Sequence, residues 1–404
     1  MNSTKQVTFI TQYYGPEKIG SAPYITEIAE WFAAQNYLVK VFTNRPFYPF
    51  KKVFDNYRNG AKDVEDLNEV KVRRIKPYIP KKNNIIYRAL ADSIFFIKSL
   101  FLNGLKKRDN IITLCPSIFS VAIGNLIKKR KGHHIAIVHD IQSGLADGLN
   151  LSKSLKFVLN FLRYIERKVL NKTDKIVVLT DGMRDSLLKL GVSRGKIIKI
   201  PIWVDTDLIK PIIEKKGNVD YNDELIMYSG NLGKKQGLFQ ILDLAELLQK
   251  DPNTSDLKIE IRGDGNQKSE LVTYAKSLNL NNVYFKDLVP KEELPYTLSK
   301  PVLHLVPQDP KTSEFAMPSK AYTLMALQKT FVATAIKGST LYNFSKKTNA
   351  FITVPPNDVH CLKKEIVRLI TDKSLKTKLE KNGREYVVKN NSKEKILNQY
   401  LSLI

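Results

Sequence analysis

The segment Ser313-Glu-Phe-Ala-Met-Pro-Ser-Lys-Ala-Tyr-Thr-Leu-Met-Ala326 sets a carboxylate, a hydroxyl and a lysine just ahead of an apolar helical pattern. Pro318 suits the first turn of a helix, which puts Ser319 and Lys320 at its N-terminus. Unsatisfied backbone N–H groups and the positive end of the helix dipole attract phosphate oxygens at such a place, and Lys320 adds a formal charge. A capped surface helix would read much the same. The flanks favour phosphate, because the apolar run Val302–Val306 reads as a strand and the loop after it carries Pro307 and Pro310.

A second phosphate-type feature is Met227-Tyr-Ser-Gly-Asn-Leu-Gly-Lys-Lys-Gln-Gly237, a strand running into a glycine-rich turn before a helix. Gly230, Gly233 and Gly237 allow close backbone approach around Asn231, and Lys234 and Lys235 can reach a diphosphate. It is not a Walker A loop, since no Gly-Lys-Ser/Thr ending follows. Ile259-Glu-Ile-Arg-Gly-Asp-Gly-Asn266 repeats the strand-to-turn pattern with Gly263 and Asp264. The loop after the next strand offers Leu288 and Val289 to a nucleobase. In the first half, Tyr13-Tyr-Gly-Pro-Glu-Lys-Ile-Gly-Ser-Ala-Pro-Tyr24 links a strand to a helix and holds Gly15, Gly20 and Ser21. His139-Asp140 closes another strand. A lone histidine there is more often structural than chemical.

These turns need strands to carry them. Short β-branched runs alternate with helical patterns along the whole chain, from Val7–Ile10, Leu38–Thr43 and Val70–Ile75 to Val302–Val306, Phe331–Ala333 and Phe351–Val354. Several are apolar throughout, as parallel strands buried on both faces are. The alternation predicts an α/β chain with two doubly wound sheets, and 404 residues suffice for two cores. The stretch Pro201–Asn222 lacks periodicity and reads as the linker. This gives an N-terminal domain 1–203 and a C-terminal domain 204–389, with a helix at about 390–404 able to return to the first. Ligands of such sheets bind beyond the carboxyl ends of the strands.

Taken together, Ser-Gly-Asn-Leu-Gly-Lys-Lys-Gln-Gly-Leu at 229–238, Arg-Gly-Asp-Gly at 262–265 and Met-Pro-Ser-Lys at 317–320 resemble glycosyltransferase family 4. Ile-Pro-Ile-Trp-Val-Asp at 200–205 and Val-His-Asp at 138–140 support the resemblance, which covers essentially the full length. Within the family the chain looks most like the WbuB/WcaI-type bacterial enzymes of O-antigen, capsule and exopolysaccharide assembly. The resemblance implies a GT-B architecture, two Rossmann-like domains facing across a cleft, and sugar transfer with retention. It implies that Glu314 contacts the donor sugar and that Ser319 and Lys320 sit by the phosphates. Lys234 or Lys235 would contact the diphosphate, Gly15–Ser21 would line the cleft, and His139 would be the active-site histidine. Lys235 and Lys320 would stabilise the leaving group. Tyr322 stands where the family places a second glutamate for the ribose, so either its hydroxyl replaces that contact or the ribose is held elsewhere. A non-catalytic sugar-nucleotide binder would keep the phosphate turns, but Glu314 and His139 argue against it.

The donor implied is a UDP-sugar, with UDP-N-acetyl-L-fucosamine or a GDP-fucose-type alternative, and the acceptor a polyprenyl-diphosphate-linked saccharide. No paired-aspartate motif stands out, so this reading requires no metal or cofactor. Lys and Arg number 65 against 40 Asp and Glu, a net charge of +25. Nucleic acid, anionic lipid and phosphorylated substrates would each suit that charge, as would a lysine-rich genome. No nucleic-acid module appears and the basic residues are spread along the chain, which argues against nucleic acid. Two segments, Asn83–Arg108 and Lys153–Lys172, combine apolar residues such as Phe157 and Phe161 with bases, as helices lying on anionic membranes do. Cys115 and Cys361 sit in or beside apolar stretches and read as two buried thiols of a reducing compartment. With no signal-peptide pattern and no run of about 20 apolar residues, the chain reads as cytoplasmic, at most peripheral on the inner face of the membrane.

Overall fold

In the computed structural model the described residues are 5–18, 20–48, 50, 52–80, 85–103, 106–115, 117–139, 153–212, 222–290, 292–310 and 317–404. They divide into two units, Met1–Ile200 with Leu397–Ile404, and Pro201–Ile396. The division falls at Ile200, beside the 203/204 boundary suggested by the sequence.

The first unit runs β1 (Gln6–Ile10), α1 (Ala22–Ala34), β2 (Leu38–Asn44), β3 (Val64–Leu67), β4 (Val70–Ile75), α2 (Ile85–Asn103), β5 (Arg108–Cys115), α3 (Ile118–Ile127), β6 (Lys128–Val138), α4 (Lys153–Lys172), β7 (Lys175–Val178), α5 (Asp181–Lys189) and β8 (Ile197–Lys199). Its sheet has the order β3-β4-β2-β1-β5-β6-β7-β8. Neighbours are parallel except for β3 with β4. That hairpin leaves no plain signal in the sequence. Its turn, Asn68-Glu69, takes φ of 50° and 65° without a glycine, and β3 reads Val-Glu-Asp-Leu at the edge of the sheet.

The second unit runs β9 (Asn222–Ser229), α6 (Phe239–Gln249), β10 (Lys258–Arg262), α7 (Lys268–Ser277), β11 (Val283–Lys286), α8 (Leu294–Ser299), β12 (Pro301–Val306), α9 (Ser319–Ala326), β13 (Phe331–Thr334), α10 (Thr340–Thr348), β14 (Ile352–Val354), α11 (Val359–Thr371), α12 (Lys373–Asn390) and α13 (Lys393–Leu401), whose end is counted with the first unit. Its strands are all parallel, in the order β11-β10-β9-β12-β13-β14. The uniformly apolar runs have their reason here. On β9, Ile226 and Tyr228 enter one apolar layer with Leu244 of α6 and Ile366 of α11, while Met227 enters another with Leu324 of α9 and Val387 of α12.

Two expectations are corrected. Neither cysteine forms a disulfide, but only Cys115 is fully buried; Cys361, on α11, is half-buried against the core of the second unit. Pro318 is not in the first turn of α9 but caps it, with ψ of 125°, so Ser319 is the first helical residue.

Candidate functional site

In the second unit the strand order reverses at β9, which pairs with β10 on one side and β12 on the other. The turn after β9 and the segment after β12 therefore flank a crevice beyond the carboxyl ends of the strands. Lys320, in the first turn of α9, reaches into it. Its Nζ lies 3.8 Å from the centroid of the Tyr228 ring. Part of the side chain is open to solvent, but the nitrogen itself is sealed and has no hydrogen-bond partner among the described residues. Burial pushes the ammonium pKa down to about 7. No side-chain hydrogen bond caps α9, which leaves the first N–H groups of the helix open to a ligand.

The glycine turn is built around that side chain. A Cβ on Gly230, whose φ is +147°, would come within 2.8 Å of the Lys320 Nζ. The Gly230 N–H donates to the Arg262 carbonyl at 2.9 Å, and the Leu232 N–H to that of Asp264 at 2.8 Å, which clips this turn to the one after β10. A Cβ on Gly263 would collide with the Gly230 carbonyl oxygen. Tyr228 fixes the turn as well, its hydroxyl donating to the Asn231 carbonyl at 2.7 Å. The turn is also tied to the segment after β12, because the Asp309 N–H donates to the Lys235 carbonyl at 3.0 Å. The spacing of glycines points to this arrangement. Tyr228 gives no such signal, because an aromatic in a strand reads as core.

The other anticipated residues are distributed as follows. Lys234 and Lys235 are exposed on the one-turn helix Lys234–Gln236. Asp264 is exposed and its Oδ1 accepts from the Gly265 N–H at 2.9 Å. Leu288 is exposed and Val289 half-buried in the loop after β11. Ser319 is exposed beside Lys320. Tyr322, one of the two alternatives for the ribose contact, turns away from the crevice, which favours the ribose being held elsewhere. It is 5% exposed and packs edge-on against Phe344, at 5.5 Å between centroids, within the apolar layer of Met325 and Phe351. Two residues are roughly 200° around a helix, so Lys320 and Tyr322 leave α9 on opposite sides. Glu314 lies outside the described residues.

In the first unit the order reverses at β1, between β2 and β5, and the Gly15–Ser21 loop follows β1. The Gly15 N–H donates to the Thr26 hydroxyl at 2.8 Å, and its carbonyl accepts from buried Arg74. The Glu17 carboxylate, which no motif marks, accepts from the Phe47 and Tyr48 N–H groups, each at 2.9 Å. Burial raises its pKa. Gly20 is exposed with φ of +73°, and Ser21 caps α1 without a side-chain hydrogen bond. His139 follows β6, its N–H donating to the Cys115 carbonyl at 3.2 Å, with the Tyr24 ring edge-on at 5.7 Å. Burial lowers its pKa to about 4, so the imidazole is neutral near pH 7. His134 and His304 are structural. The first is bonded to Thr113 and Asn125 at 2.9 Å, the second to the Leu298 carbonyl at 2.8 Å.

Lys320 yields a pH prediction. In the unfolded chain its pKa returns to about 10.4, whereas folding holds it at about 7. Between those values the unfolded state binds the extra proton, so this residue makes stability rise as pH rises from about 7 towards about 10. The gap in melting temperature between Lys320→Met and wild type should close across that window, because the variant lacks that part of the rise. Parallel curves would show that the amine is not desolvated.

Two parallel-sheet α/β units, the second with a glycine turn and a lysine whose amine is buried at its switch point, form a GT-B architecture, and comparison with known proteins agrees. The model of Glycosyltransferase Family 4 matches residues 20–208, and that of Glycosyl transferases group 1 matches residues 209–386. The chain belongs to the family 4 glycosyltransferases and is a transferase. It is 28% identical over 403 residues to the putative colanic acid biosynthesis glycosyl transferase WcaI of Escherichia coli (strain K12), covering 96% of this chain and 97% of that protein. It is 22% identical to the probable glycosyltransferase WbjE of Pseudomonas aeruginosa, over 69% of this chain and 70% of the relative. Among solved structures, sucrose-phosphate synthase of Thermosynechococcus elongatus matches with a TM-score of 0.75 at 18% identity, covering 99% and 98% of the two chains. Anabaena HepE in complex with UDP and glucose matches with a TM-score of 0.68 at 14% identity, covering 98% of each chain. At these identities the structures speak for the fold alone.

Proposed function

We propose that the chain moves a sugar from a UDP-sugar to a polyprenyl-diphosphate-linked saccharide, with retention, during assembly of a bacterial surface polysaccharide. The observation that carries the donor half is the Lys320 amine. A buried cation without a partner is costly, and a diphosphate bound at the N-terminus of α9 would supply the missing counter-charge. The leaving nucleoside diphosphate gains charge as the glycosidic bond breaks. Lys320, the Ser319 end of α9 and Lys234 or Lys235 would stabilise that charge from fixed positions. With these cations in place we propose that no divalent metal is needed and that turnover survives chelators. Glu314 and His139 retain the roles that the family resemblance suggests, at the donor sugar and at the reacting centre.

The likeness to WcaI supports the polysaccharide setting, since that relative is named for colanic acid biosynthesis. The choice of a uridine donor over a GDP-sugar rests on the family resemblance. The test is a panel of UDP- and GDP-sugars, UDP-N-acetyl-L-fucosamine and GDP-fucose among them, with thermal shift and nucleotide release as readouts. UDP and one UDP-sugar should raise the melting temperature, with release dependent on a lipid-linked saccharide. A shift with guanine nucleotides alone would replace the donor, and no shift with any nucleotide would remove the donor site.

A further inference from the structure

The helices on one side of the first unit present a surface outside the residues assigned to sugar transfer. α3 packs against both α2 and α4, so the three form a layer. The inner side of α2 supplies Phe95, Phe96 and Leu100 to the core with Ile10 and Ile111. Its outer side is apolar too. Leu90, Ile97 and Phe101 recur at helical spacing and form one exposed stripe, and Phe101 is 82% exposed. The stripe runs out towards Lys106 and Lys107, both exposed. Leu126, at the end of α3, is also exposed.

α4 has the same character with more charge. Phe161, Leu162 and Tyr164 are exposed, the first at 56%. Arg167 and Lys168 are exposed beside them and stand over the Tyr164 ring at 5.6 and 5.4 Å. The one acid of the helix, Glu166, is buried. The outward arc of α4 therefore combines aromatic and aliphatic side chains with cations and has no exposed carboxylate among the described residues. Such an arc gains from apolar insertion and from anionic headgroups together. No described helix is long and apolar enough to cross a membrane.

We propose that the outer face of α2, α3 and α4 is a docking surface for an anionic lipid bilayer, with Phe101, Phe161 and Leu162 inserting at the headgroup level and Arg167 and Lys168 meeting the phosphates. A second copy fits poorly, because the outward arc of α4 offers no exposed carboxylate among the described residues to meet Arg167 and Lys168 of another copy. Nucleic acid would leave the aliphatic stripe without a partner. The surface belongs to the first unit and the donor crevice to the second, and its test needs neither donor nor acceptor, so it stands or falls apart from the proposed reaction.

The experiment is co-sedimentation of the full chain with vesicles of phosphatidylcholine alone and of phosphatidylcholine mixed equally with phosphatidylglycerol. Binding to the anionic vesicles and not the neutral ones is expected, weakening as salt is raised. Arg167→Glu with Lys168→Glu should lower partitioning on the order of 10- to 100-fold, and Phe161→Ser with Leu162→Ser by a similar amount. An unchanged melting temperature and circular dichroism spectrum would show that the variants fold. Equal binding to both vesicle types, no binding, or variants that bind like wild type would overturn the proposal. So would light scattering that shows a dimer dissolved by Phe161→Ser, or preference for RNA over vesicles.

Discussion

Lys320→Met should lower kcat about 10²- to 10³-fold, the loss typical of removing one fixed charge-stabilising donor, while leaving the melting temperature equal to or above that of wild type. The two halves of this expectation have opposite signs for one reason. In the resting protein the amine is buried, without a hydrogen-bond partner among the described residues, and held at about 7 by desolvation. The folded state bears that cost with no counter-ion among the described residues. Methionine fills a similar volume over the Tyr228 ring without an ammonium to desolvate. During turnover the same amine would meet the charge that develops on the diphosphate. A stabilised but inactive variant is what an electrostatic residue should give. A large fall in melting temperature would mark Lys320 as a structural residue, and full activity would remove its role.

The second large effect concerns the glycine turns, where two single-methyl changes should fail in different ways. Gly263→Ala places a Cβ against the Gly230 carbonyl oxygen, and both residues belong to backbone clipped by hydrogen bonds between the two turns. Neither side can move without opening the β9–β10 end of the sheet, so a cost of about 2–4 kcal/mol is expected, measurable by urea unfolding. Gly230→Ala instead meets the end of a flexible lysine at 2.8 Å, at a φ of +147°. The lysine can swing away, so this variant should fold with a smaller loss yet respond weakly to UDP. Equal stabilities for the two alanine variants would contradict the close approach described for Gly263.

Much of this arrangement is legible because its physics is local. Parallel strands buried on both faces must be apolar throughout, which marks β9 and β12. A glycine is needed wherever two turns touch, which marks Gly230 and Gly263. What the sequence does not convey depends on direction. The family resemblance brings Tyr322 into question as a ribose contact, but helical geometry turns it into the layer of Phe344 and Phe351. Tyr228 reads as a core residue, though its hydroxyl and ring touch two different elements of the crevice. Glu17 and Arg74 are far apart in the chain and brace the same loop, a pairing that no local pattern encodes. The β3–β4 hairpin is hidden because Asn68 and Glu69 make its turn without glycine.

The most direct test of the donor site is a crystal structure of the chain with UDP bound. The diphosphate should lie beyond the carboxyl ends of β9 and β12, within hydrogen-bond reach of the Lys320 Nζ and the first N–H groups of α9. The amine should have left its place 3.8 Å from the Tyr228 ring centroid. A diphosphate bound elsewhere, with Lys320 still over Tyr228, would contradict this placement of the donor.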